Sequence, residues 1–189
     1  MKVLHVTDVA QRDACLARLC AEYYGQSAGL TPLVVFAGTR RVLFAEEAAR
    51  LLALVDNSGA PRALALLVLD EAGEGMSVSL SCHLGNDDEP ERRLIAELAL
   101  KAPLRVDASN AEQEAFYRRC GITRWFGDEP GTRIGLAAGH PATQEAELAP
   151  LLAVDEQQVL RRFKHDAKAF EAEKRDFVEG LEAFPAALT

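Results

Sequence analysis

Residues 110 to 122 read NAEQEAFYRRCGI, which sets Asn110 seven residues before Tyr117 and Gly121 four residues after it. A phenol can hold or release a proton wherever the fold brings it to a reacting atom. The same letters also describe an amphipathic helix with Phe116 and Tyr117 as core aromatics and Gly121 as an ordinary C-terminal cap. His83, with an ordinary imidazole pKa of about 6.5, could act as a general base or simply face solvent beside a turn. Its neighbour Cys82 suggests a thiol nucleophile, but adjacent residues of a strand point to opposite faces, so the two do not make a natural pair. The remaining chemistry-bearing run is NDDEPERR, with carboxylates at Asp87, Asp88, Glu89 and Glu91 ahead of Arg92 and Arg93.

The elements that must position these residues follow from periodicity and caps. MKVLHV alternates as a short strand, and Asp8 with Gln11 offers a capping box for a helix that ends near Gly25. LTPLVVFAGTRRVLF is ambiguous between a strand and a second helix, so residues 26–48 stay unassigned. RLLALVD and RALALLVLD are apolar runs on either side of the turn residues NSGAP, a hairpin. MSVSLSC alternates Met76, Val78 and Leu80 with serines and predicts a third antiparallel strand with one polar face.

DDEPERRLIAELALKAP has an acidic first turn, an early Pro90, a Leu94/Ile95/Leu98 stripe and Pro103 as its stop, all helix signals. A short strand at LRVDAS, the helix AEQEAFYRRC and a closing hairpin of ITRWFG and TRIGLA around DEPG complete the order. That order defines an α+β domain over residues 1–138, a mixed, mostly antiparallel sheet flanked by helices. Residues 139–189 form a separate C-terminal helical extension. Its apolar positions, including Phe163, Phe170 and Phe177 seven residues apart, predict one long amphipathic helix over 155–184 with Asp155 and Gln158 as its capping box. Such a face needs cover from its own domain or from the same helix of a second subunit, so a homodimer is expected there.

Composition narrows the partners. The chain has 189 residues, 49% of them hydrophobic, enough for a core, and a formal net charge of −8. That charge, with no Lys/Arg stripe, disfavours nucleic acid and anionic membranes. The four cysteines form no CxxC pair and no signal peptide precedes them, so free thiols in a cytoplasmic protein are expected, with no metal site. Abundant Ala and Leu with few Lys fit a bacterial origin.

The element order, together with Asn110, Phe116, Tyr117 and Gly121 after a short strand, resembles the GNAT superfamily of acyl-CoA-dependent N-acyltransferases. The resemblance spans about residues 1–138 and includes two departures, Gln113 where the family pattern has alanine and Ile122 where it has phenylalanine. It implies an N-acetyltransferase that moves an acetyl group from acetyl-CoA to an amine of a small molecule or protein. Tyr117 would protonate the departing thiolate. Asn110 would touch the pantetheine arm, and Ser81, Gly85, Asn86, Arg92 and Arg93 would line the rest of the acetyl-CoA site. His83 is the candidate base, because the strand that ends on it carries no carboxylate.

One part of the pattern is missing. Where the family carries a glycine-rich turn whose backbone N–H groups surround a pyrophosphate, this chain has CHLGNDDEPERRL, with Gly85 as the only glycine and four carboxylates. These would repel phosphates. The alternative local reading is a capping box of Asp88 and Glu91 with no anion site at all. Two functions follow: an acetyltransferase, or a non-catalytic GNAT-fold module that acts through protein-protein contacts.

Overall fold

The computed structural model describes residues 1–127 and 131–189. In chain order the elements are β1 (Lys2–His5), α1 (Val9–Tyr24), α2 (Thr31–Gly38), β2 (Ala49–Val55), β3 (Pro61–Leu69), β4 (Met76–His83) and α3 (Glu89–Lys101). They continue with β5 (Leu104–Ala108), α4 (Ala111–Arg119), β6 (Arg124–Phe126), β7 (Arg133–Leu136), α5 (Glu156–His165) and α6 (Ala167–Glu182). Seven strands form one sheet in the order β1-β2-β3-β4-β5-β7-β6, antiparallel at every junction except the parallel β4/β5 pair. This is the mostly antiparallel, helix-flanked α+β sheet expected from the sequence. The hairpin expected around DEPG is present as the β6/β7 pair, while residues 128–130 of its turn lie outside the described residues.

Both faces of the sheet are covered, which is why β2 and β3 read as continuous apolar runs. Leu51, Ala53 and Val55 face a layer of α1, α2, α5 and α6, whereas Leu52 and Leu54 face α3 and α4. The segment left unassigned is helical: α2 begins with Pro32 in its first turn, is buried at every position from Pro32 to Gly38, and runs into a π-helical turn at Thr39–Phe44. A helix buried all round carries no amphipathic period, so its β-branched letters resemble a strand.

Two local expectations are corrected. β4 does not keep one polar face, because its register with β3 jumps at Ser79: Leu66 pairs with Leu80 and Leu67 with Val78. That bulge sends Met76 and Val78 towards α3 and turns Leu80 and Cys82 towards α1. The tail is two helices rather than one. Asp166 leaves helical geometry (φ −136°, ψ 90°) and its carboxylate accepts from the Ala169 N–H at 3.0 Å, ending α5 and starting α6.

The extension is packed onto the domain's own helices. Phe177 meets Phe36 of α2 edge-on at 5.2 Å, and Phe163 meets Phe170 at 5.3 Å. Gly180 lets α6 approach α1 so closely that a β-carbon there would stand 3.1 Å from Ala17 Cβ. A polar clamp locks the contact: Glu173 of α6, 1% exposed, accepts from both Arg40 and Arg41, and Arg40 also reaches Asp13 and Asp176 at 3.0 and 3.2 Å.

After β7 the chain turns through a second buried polar knot. Arg124 donates to the carbonyls of Ala137, His140 and Ala142, and His140 Nδ1 accepts from the Ala142 N–H at 3.1 Å. Burial, then the Arg124 charge, holds the His140 pKa below its usual value, with Asp70 and Glu74 opposing and Arg105 assisting. A folded pKa below the unfolded one means that His140 contributes full stability above about pH 6.5, lost as pH falls through the folded value. The unfolding free energy should therefore fall on acidification more steeply in the parent than in His140→Gln, by up to roughly 1.4 kcal/mol per pH unit. Parallel denaturation curves between pH 7 and 5 would remove His140 as the cause.

Candidate active site

β4 and β5 run parallel but pair only at Met76/Leu104 and Ser77/Arg105, then separate towards their C-terminal ends. The separation opens a cleft of about 650 Å³ across the sheet, reached by residues of both helical layers. From the α3/α4 side come Ser81, His83, Asp88, Glu91, Asn110, Glu112, Gln113, Phe116 and Tyr117; from the other side come Tyr23, Val68, Ser77, Asp107 and Leu151 to Ala153. Side-chain alternation explains the split on β5: Leu104 and Val106 pack with α3, so Arg105 and Asp107 point to the opposite face.

Tyr117 is held by the end of α4. Cys120 and Ile122 N–H groups both donate to its carbonyl, and Gly121 at φ +88° makes the left-handed turn that lets the chain leave. Its ring is half-buried, edge-on to Phe116 at 5.4 Å. Burial raises the phenol pKa well above its usual value, and Tyr23, Glu91, Cys120 and Asp107 push the same way. The hydroxyl therefore stays protonated at neutral pH, the state an acid needs.

Asn110 is the N-cap of α4: its Oδ1 accepts from the Gln113 N–H at 2.9 Å, and Gln113 Oε1 accepts from the Ser109 N–H at 2.7 Å. Gln113, which departs from the resemblance, thus closes a reciprocal cap. Asn110 still lines the cleft.

The helix expected to cap itself with Asp88 and Glu91 does not do so. Asp88 makes no side-chain cap bond; Asp87 Oδ1 accepts from the Glu89 N–H instead. Glu91 reaches back to β4, accepting from Ser81 Oγ at 2.6 Å and lying 3.0 Å from His83 Nδ1. This carboxylate orients His83 through Nδ1, and Nε2 has no hydrogen-bond partner among the described residues, the arrangement that makes a histidine a usable base. Glu91 and Asp107 are the residues that sequence reasoning missed. Glu91 had a local explanation as a cap, and Asp107 sits in a strand whose gap cannot be read from one segment.

Gly85, Asn86, Arg92 and Arg93 are not among the cleft-lining residues. Arg92 pairs with Asp88 at 3.1 Å, and Arg93 pairs with Glu97 at 3.2 Å and donates to the Met1 carbonyl. Cys82 packs in the α1 layer, away from His83, and burial pushes its thiol up to about 12, a poor nucleophile at neutral pH. Among the described residues no group of His, Cys, Asp and Glu could hold a metal ion, and no helix is long and apolar enough to cross a membrane.

A sheet that parts between its fourth and fifth strands, with helices on both faces, is a GNAT-like fold, and comparison with solved structures agrees. Aminoglycoside 6'-acetyltransferase type Ii superposes with a TM-score of 0.50 at 12% identity, covering 72% of this chain and 95% of that one. A protein from Desulfovibrio desulfuricans assigned to the GNAT family of acetyltransferases matches with a TM-score of 0.50 at 18% identity, over 71% of this chain and 98% of that one. No protein-family model matches the sequence, and no curated protein matches it.

Acetyl-CoA can be tested against the residues present. Beyond Ser77 and Arg105 the facing edges of β4 and β5 are unpaired with each other among the described residues, which leaves room for an extended, amide-bearing pantetheine arm. The diphosphate fits poorly. Glu89 N–H is taken by Asp87, Pro90 has no N–H, and the charged groups of the lining are the carboxylates Asp88, Glu91, Asp107 and Glu112 with no Lys or Arg among them.

Proposed function

We propose that this protein transfers an acyl group from a pantetheine thioester to an amine. The observation that carries the reading is the protonated, half-buried Tyr117 hydroxyl on the wall of the cleft between the parted strands. The thioester supplies an electrophilic carbonyl and a thiolate leaving group. Tyr117 holds the proton that a leaving sulfur requires, and His83, oriented by Glu91, is the group that can take one from an amine or from water in the cleft. Asn110 fixes the α4 N-terminus beside the arm. Acetyl-CoA is the donor implied by the fold, and the acidic turn before α3 makes its diphosphate a burden on affinity rather than a handle.

Thermal shift with acetyl-CoA and with S-acetylpantetheine tests this. Both should stabilise the protein, by roughly 2.7 kcal/mol at a hundredfold excess over Kd. Acetyl-CoA should bind no more tightly than the phosphate-free thioester. The combined change Asp87→Asn, Asp88→Asn, Glu89→Gln should tighten acetyl-CoA and leave S-acetylpantetheine unchanged, since it removes the repulsion and releases Arg92 and Arg119 from Asp88. The acidic turn also favours a second reading, a non-catalytic GNAT-fold module acting through protein contacts. No shift with either thioester at millimolar concentration would select that reading.

A further inference from the structure

The α1 side of the cleft is closed by residues that lie beyond the last strand. Pro150 to Leu152 run antiparallel to the end of β3: Leu151 bridges Asp70, the Glu71 N–H donates to the Pro150 carbonyl at 2.9 Å, and the Leu152 N–H donates to the Leu69 carbonyl at 3.3 Å. At the other end Val154 fills the space over Gly38 so closely that a β-carbon on Gly38 would collide with it. The segment is therefore pinned on both sides to the domain, with Leu151, Leu152 and Ala153 facing the cleft beside Val68 and Tyr23.

This wall differs in chemistry from the rest of the site. Asp88 just before α3, Glu91 of α3 and Glu112 of α4 come from the far side, and the carboxylate on the near face is Asp107. Arg105 already donates to both oxygens of Asp107, Nε to Oδ1 at 2.9 Å and Nη2 to Oδ2 at 3.4 Å, and the remaining lone pairs of the carboxylate can accept from one ammonium group. Past that point an incoming molecule meets leucine, valine and the tyrosine ring. A polyamine would bury further charges against apolar side chains, at a cost that one carboxylate does not offset.

We propose that the α1 side of the cleft is the acceptor side and that Leu151, Leu152 and Ala153 form its specificity-determining wall, which selects a primary amine on a compact apolar body with its ammonium at Asp107. This rests on the acyl-transfer reading above. The extension thereby sets what the site accepts as well as completing the helical layer.

Calorimetric titration of the full chain with 3-methylbutylamine and with spermidine, without an acyl donor, is the test. The parent should bind 3-methylbutylamine more tightly. Ala153→Phe, at an exposed position that leaves Tm unchanged, should weaken it about ten-fold or more by narrowing the cleft. Leu151→Ser should shift the preference towards spermidine, and Asp107→Asn should weaken both. Equal affinity in Ala153→Phe and parent, spermidine as the tighter ligand of the parent, or no binding of either amine at millimolar concentration overturns the proposal. The expected binding pattern with no acyl transfer to either amine removes the reaction and supports the wall. Transfer to 3-methylbutylamine that ignores both wall substitutions supports the reaction and overturns the wall.

Discussion

Tyr117→Phe is expected to lower turnover by about 10² to 10⁴ while leaving thioester binding nearly intact. The substitution removes one oxygen and keeps the ring that packs edge-on with Phe116, so the α4 terminus and its Gly121 turn should persist. What is lost is the proton for the departing sulfur. A fall in kcat and kcat/KM together, with the donor Kd unchanged, marks an interaction made only in the transition state. The pH profile gives an independent readout. The phenol acts in its protonated form and its pKa is raised, so activity that depends on Tyr117 should hold through pH 9 and be lost only above about 10, the ordinary phenol value. Tyr23→Phe is the control, since Tyr23 lies close enough to raise the Tyr117 pKa but sits on the α1 side. Equal turnover in Tyr117→Phe and parent would sink the assignment.

What the sequence disclosed and what it hid divide by range of interaction. Caps at Asp8 and Asp155 were legible because each rests on a bond to the residue three places on, and each is made in the structure. The hairpin at NSGAP and the Gly121 turn are equally local. The Ser79 bulge was not legible, since it exists only as a mismatch with Leu66 and Leu67 on β3, a separate strand. Glu91 shows the same limit: one turn of sequence makes it a cap, and its partners Ser81 and His83 lie on another element. The break at Asp166 was hidden for a different reason. The apolar spacing runs through it, and a buried stripe says where a face points without saying that the backbone is continuous.

The same distinction decides the fate of the extension, and truncation after His140 is expected to give a chain that aggregates instead of folding. Phe163, Phe170, Phe177, Leu181 and Phe184 belong to the cluster around α1 and α2, and removing α6 uncovers Phe36, which Phe177 meets edge-on, and Ala17 beneath Gly180, both buried now. Phe163 is buried and the other four are partly so; at about 1 to 2 kcal/mol each, the five are worth a large share of the stability of an ordinary domain. The loss is also electrostatic. Arg40 is held partly buried against Phe36 with its charge balanced by Asp13, Glu173 and Asp176, and truncation takes away two of the three carboxylates. Single substitutions separate the two contributions. Phe177→Asp should cost about 4 kcal/mol by burying a charge in the seam, and Glu173→Ala about 3 kcal/mol by leaving Arg40 and Arg41 without their common partner. Denaturant melts and sedimentation of these variants check both values. A truncated chain that stays soluble, monomeric and as stable as the parent would show that the helical layer closes without α5 and α6. It would also show that the segment Leu151 to Ala153, which truncation removes and which β3 and Gly38 of α2 hold in place, is not needed for the fold.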